Sequence, residues 1–133
     1  MNLLKLALPA LACGAIALVA QDNGPIEDWM KSTNQSVQAL RKMEKKTGPE
    51  VVDHAEKIGA AYENMIGFWR QRNADDAVKI SEAGKAAAAE LASAAKADNA
   101  EGAAAAFAKV GSSCMPCHAA HRERTPEGKY KIK

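Results

Sequence analysis

The sequence predicts an all-α chain folded as an antiparallel, up-down-up-down four-helix bundle, and three observations carry that prediction. Four segments each hold an apolar seam spaced alternately by three and four residues, the period that packs helices at shallow angles. Turn and cap signals separate them, and the short connections make successive helices antiparallel neighbours. No comparable run of period-two alternation occurs, so a sheet is not expected.

Ahead of the helices, residues 1–20 (MNLLKLALPALACGAIALVA) carry one charged side chain, Lys5, and then an uncharged run from Leu6 to Ala20. Crossing a membrane takes about 20 apolar residues in a helix, so this run suits the apolar region of a secretory signal better. Small residues offer cleavage positions at Ala15-Ile16-Ala17 and at Leu18-Val19-Ala20, and the chain turns polar at Gln21-Asp22-Asn23. The expected organisation is therefore a signal peptide over 1–20, cut after Ala20, and one domain over 21–133 in the periplasm. A lipoprotein acylated at Cys13 and an uncleaved anchor are the competing readings.

The marks between helices are specific. Asn23-Gly24-Pro25 places a proline where a first helix begins, Thr47-Gly48-Pro49 supplies a stop and a new start, and Asn73 precedes Ala74-Asp75-Asp76. Asp98 and Glu101 form a capping-box-like pair. Between them lie segments of roughly 20 to 26 residues. Their seams are Ile26, Met30, Thr33, Val37, Leu40; then Val51, Ala55, Ile58, Tyr62, Met65, Trp69; then Ala77, Ile80, Gly84, Ala87, Leu91, Ala94; and last Ala103, Phe107, Val110, Cys114, Cys117, His121. Alanines dominate from Lys85 to Ala108; they favour helix but bury little area, which leaves room for something bulky in the core.

The whole chain of 133 residues is one domain's worth, and its formal charge of +2, from 18 basic and 16 acidic residues, gives no general pull towards nucleic acid. With the signal removed, Cys114 and Cys117 are the two cysteines left. A disulfide closing so short a loop would constrain little of the fold.

The chemistry lies in Ser112-Ser-Cys-Met-Pro-Cys-His-Ala-Ala-His-Arg122. In Cys-x-x-Cys-His, two thiols a helical turn apart can form thioethers to the vinyl groups of a haem while the adjacent histidine reaches the iron. Cys114 and Cys117 are thus the expected covalent tethers of one haem c, and His118 its proximal ligand. A thioredoxin-like dithiol would need strands around it. A zinc site from Cys114, Cys117, His118 and His121 would need the chain to wrap round the ion, which ligands along one side of one helix cannot do. Pro116 inside this segment predicts a bend or restart of the fourth helix at the motif.

A single Cys-x-x-Cys-His close to the C-terminus of an exported four-helix chain resembles the class II c-type cytochromes, the family of cytochrome c′ and its six-coordinate cytochrome c-556 relatives. In sequence the resemblance rests on Cys114-Met115-Pro116-Cys117-His118, on Arg122 and on Glu27-Asp28-x-x-Lys31. His121 stands where members often show an aromatic residue, and its expected role is solvation or contact with a haem propionate. Arg122 is a candidate propionate contact through a charge-assisted bond.

What occupies the sixth iron position then separates the functions. Met30, on the first seam where six-coordinate relatives place a methionine, is the candidate distal ligand. Matching Glu27-Asp28 to five-coordinate relatives instead sets Val37 over the iron as a steric wall. Met43 and Met65 lie too far along their helices, and His54 is expected to be solvated. With a thioether ligand the protein is a periplasmic one-electron carrier; with an aliphatic wall it binds small gases such as NO or CO. An enzymatic role is not expected, because the first helix shows no distal His-Arg arrangement. Arg122, Arg124, Lys129, Lys131 and Lys133 make the end near the motif basic, which suits an acidic redox partner, though a merely solvated tail is the commoner explanation. The seams also allow a homodimer.

Overall fold

The computed structural model describes residues 23–133; the expected signal segment, its cleavage site and Cys13 lie outside the described residues. The described chain is a helical bundle in which α2 packs on both α1 and α3, and α3 packs on α4. It comprises α1 (Ile26–Lys42), α2 (Pro49–Arg70), α3 (Asp75–Lys96), α4 (Ala100–Ser112) and α5 (Cys114–His121), followed by two short strands. No described helix is long and apolar enough to cross a membrane.

Helix α1 is shorter than its expected length, because Met43 already has an extended backbone (φ −80°, ψ 125°) and residues 43–48 form a loop. Gly48 takes φ 92°, where a side chain would be strained, and Pro49 opens α2 at a position whose missing N–H costs nothing. Asn73 and Asp98 take left-handed φ values of 54° and 53° at the two following corners. The cap of α4 is Asn99 rather than the expected Asp98: its side-chain oxygen accepts from the Gly102 N–H at 2.9 Å, while Asp98 faces outward and pairs with Lys45.

The predicted seams form the core. Every residue of the second seam is buried, and Leu40, Ala77, Leu91, Ala103 and Val110 are wholly or almost wholly enclosed. Met30, Ile80, Ala94, Phe107 and His121 are half-buried. Helices α2 and α3 approach closely at Gly84, where an added methyl would collide with the ring of Tyr62.

Two features depart from expectation. The C-terminal residues are not a solvated tail: β1 (Arg122–Arg124) pairs antiparallel with β2 (Tyr130–Ile132), with Glu123 opposite Lys131 and bonded to it at 2.9 Å. The turn is built by Thr125-Pro126-Glu127-Gly128, Gly128 having φ 79° and donating its N–H to Thr125 O at 2.9 Å. Asn23 clasps the ribbon from the other end of the chain, donating to Tyr130 O and accepting from the Ile132 N–H. The second departure concerns α1, which packs extensively on α2 and far less on α4 and α5, although its Ile26, Val37 and Leu40 share one buried core with Ala103, Val110 and Cys117.

Candidate functional site

The helix bearing the Cys-His segment breaks, as expected, and Ser113 is where it breaks. Ser113 donates its hydroxyl to Val110 O at 2.8 Å and therefore accepts from the Tyr62 hydroxyl at 3.2 Å. This bond ties the break to α2. The restart at Cys114 puts Pro116 in the first turn of α5, where its backbone nitrogen has no intrahelical acceptor to lose. The expected cost of a mid-helix proline is thereby avoided.

Cys114 and Cys117 follow one another by a turn on one side of α5, both as free thiols, Cys114 half-buried and Cys117 nearly enclosed. Burial, reinforced by the Asp76 carboxylate, pushes the Cys117 thiol up to about 11, so it is protonated at neutral pH. A nucleophilic redox dithiol requires the opposite shift. Burial, with the nearby Arg122 charge, lowers the pKa of His118, favouring the neutral imidazole that binds metals. Among the described residues no three His, Cys, Asp or Glu side chains converge to hold a metal ion.

His121 is neither solvated nor free. Its Nε2 meets Asp76 Oδ2 at 2.7 Å, its side chain is 18% exposed, and its ring lies 4.9 Å from that of Trp69. The contact pins α5 to the first turn of α3 and to the last turn of α2. The Arg122 guanidinium sits 4.1 Å from the Tyr130 ring, on the ribbon. His54, expected in solvent, is half-buried and bonded through Nδ1 to Ser36 Oγ at 3.2 Å.

Two contacts set the level of α1 against the site. Trp29 meets Phe68 edge to face, with ring centroids 6.3 Å apart, and Phe68 adjoins Trp69, which stacks on His121. The first turn of α1, with Met30, therefore lies at the end of the bundle where α5 ends. Ser36 meets His54, roughly 22 Å back along α2 from Trp69 at 1.5 Å per residue. Val37 lies seven residues beyond Met30, roughly 10 Å further along α1.

The donor set fits a covalently held haem. It offers two free thiols one turn apart and a histidine directly after the second whose pKa is lowered towards the neutral form. Two buried polar atoms, Thr33 Oγ1 on α1 and Trp69 Nε1 on α2, have no hydrogen-bond partner among the described residues. Sequence reasoning missed Tyr62, Ser113, Trp69 and Asp76 as parts of the site. Its seams had already marked Tyr62 and Trp69 as buried, and Pro116 had marked the break.

A family model described as Cytochrome C′ matches residues 11–122. Comparison with curated proteins and with solved structures finds no match.

Proposed function

The chain belongs to the cytochrome c′ family, and from that premise we propose that it is a periplasmic monohaem c-type cytochrome that carries one electron at a time and catalyses no reaction of its own. Cys114 and Cys117 would hold one haem c through thioethers, and His118 would be the proximal iron ligand. When bound, such a group supplies an iron centre that cycles between ferrous and ferric states.

The observation that carries the electron-transfer reading is the level of α1. The Trp29–Phe68–Trp69–His121 run of ring contacts brings Met30 to the end where α5 closes, and Val37 lies about two turns further along α1. That placement favours Met30 over Val37 as the distal residue, and a thioether in that position raises the potential and blocks gas binding. The protein's own part is to favour the neutral form of His118 and to fix α5 through His121–Asp76, Trp69–His121 and Tyr62–Ser113.

The ribbon supports an acidic redox partner. Arg122, Arg124, Lys129, Lys131 and Lys133 are gathered on a folded element that follows α5 directly, and although Lys131 pairs with Glu123 the other four leave its surface basic beside the site.

Absorption spectra of protein matured in a periplasm, ferric and ferrous, with and without carbon monoxide, test the proposal. Low-spin ferrous bands unmoved by the gas in the wild type, and gas-sensitive in Met30→Ala, are expected. High-spin bands that shift with carbon monoxide in the wild type would replace electron transfer by gas binding, and absence of covalent haem would overturn both.

A further inference from the structure

We propose that the indole N–H of Trp69 donates a hydrogen bond to a haem propionate, so that Trp69, rather than Arg122, anchors that carboxylate. The proposal rests on the haem c reading above. Trp69 is 2% exposed, and its Nε1 has no acceptor among the described residues. Native interiors rarely leave such a donor unpaired. Its two ring neighbours are Phe68, which has no acceptor, and His121, whose Nε2 is engaged by Asp76. An acceptor would be supplied by the occupant held at Cys114 and Cys117.

The chemistry of that occupant is set by the thiol pair and His118. A haem held there brings two carboxylates, which are its strong hydrogen-bond acceptors, and an N–H to carboxylate bond is among the stronger kinds available in a dry site. Trp69 lies at the level of His121, one turn beyond His118 on α5. Arg122, the candidate that the sequence offers, keeps its guanidinium on Tyr130.

Resonance Raman spectra of the matured protein and of Trp69→Phe test the assignment, after covalent haem has been confirmed in both by mass. Phenylalanine keeps the aromatic wall and removes only the donor. The propionate bending band should shift in Trp69→Phe while the bands reporting iron spin and ligation stay in place; Arg122→Gln should leave the propionate band unmoved. If haem is attached and the band is unchanged in Trp69→Phe, or if Arg122→Gln is the variant that moves it, the assignment is wrong while the haem c reading stands. Should Trp69→Phe fail to fold, the wild type transferred to D₂O decides: a slow shift of the band, on the timescale of a buried N–H exchanging, supports Trp69, and its absence overturns the role. If no covalent haem forms in the wild type, both readings fall together.

Discussion

Trp69 and His121 hold their rings 4.9 Å apart at an interplanar angle of 44°, and through this contact the last turn of α2 meets the last turn of the helix that carries the Cys-His segment. Asp76 completes the arrangement by binding His121 Nε2 at 2.7 Å from the start of α3. Three helices are thereby joined at one point, one turn from His118.

His121→Ala should consequently destabilise the protein by about 1 kcal/mol, mostly through the lost ring contact, because Asp76 is largely exposed and an exposed pair adds little. Asp76→Asn tests the polar part separately. The hydrogen bond from His121 holds the Asp76 carboxyl below the usual aspartate range. A depressed folded-state pKa gives stability that is present above the unfolded value and lost as pH falls through the folded one. Thermal melts of wild type and Asp76→Asn should therefore differ near neutrality and converge on acidification. Curves that stay parallel down to the acid limit would remove the carboxylate from the account.

At the break between α4 and α5, Tyr62 should govern alkaline stability. Burial pushes its phenol up to about 12. The folded value is above the unfolded one near 10, so the contribution is intact below that pH and is lost as pH rises towards the folded value, by about 2 to 3 kcal/mol in all. Tyr62→Phe should cost about 1 kcal/mol at neutral pH, for the lost hydrogen bond, yet lose less than wild type between pH 10 and 12. Urea midpoints across that range measure both effects.

The four seams and the motif were legible because a period of three and four residues, and the reactivity of cysteine beside histidine, are local properties of the chain. What joined them was not. Nothing in the sequence pairs Asp76 with His121, since the contact depends on how α3 starts and how α5 ends, 45 residues apart. The ribbon was hidden for a different reason: its strands are three residues each, too short for alternation to register, and half its hold comes from Asn23 at the far end of the chain. Its turn was readable in Thr125-Pro126-Glu127-Gly128, a proline followed two residues later by glycine. Asp98 and Asn99 show the same limit on a smaller scale, because two adjacent capping residues compete and only the backbone angles decide between them.

Gly84→Ala makes propensity and packing oppose each other. On an exposed helix the change would gain up to about 1 kcal/mol. Here the new methyl would strike the ring of Tyr62, which is buried and tethered to Ser113 and so cannot swing aside. A net loss of about 1 to 3 kcal/mol is expected, and the double variant Gly84→Ala with Tyr62→Leu should recover part of it. A stabilised single variant would mean that α2 and α3 separate more easily than their packing implies.

Asn23 is the last test, and it concerns the ribbon. Its amide donates to Tyr130 O at 2.9 Å and accepts from the Ile132 N–H at 3.1 Å, so one side chain pairs two backbone groups on one edge of β2. A two-stranded ribbon this short is not stable alone. It is held by this clasp, by Ile132 against the core and by the Lys133 N–H to His121 O. Asn23→Ala removes two hydrogen bonds, worth about 1 kcal/mol each, but the cost falls on a terminal element that can open without unfolding the bundle. The melting temperature should then change little, while backbone amides of residues 122–133 exchange with solvent faster by roughly tenfold, about 1.4 kcal/mol of local opening energy. Because Arg122 and Arg124 flank Tyr130 on this ribbon, the same variant should disperse the basic face and slow association with an acidic electron acceptor at low ionic strength, leaving its rate at high salt unaltered. Equal exchange rates in variant and wild type would show that the rest of the ribbon holds itself.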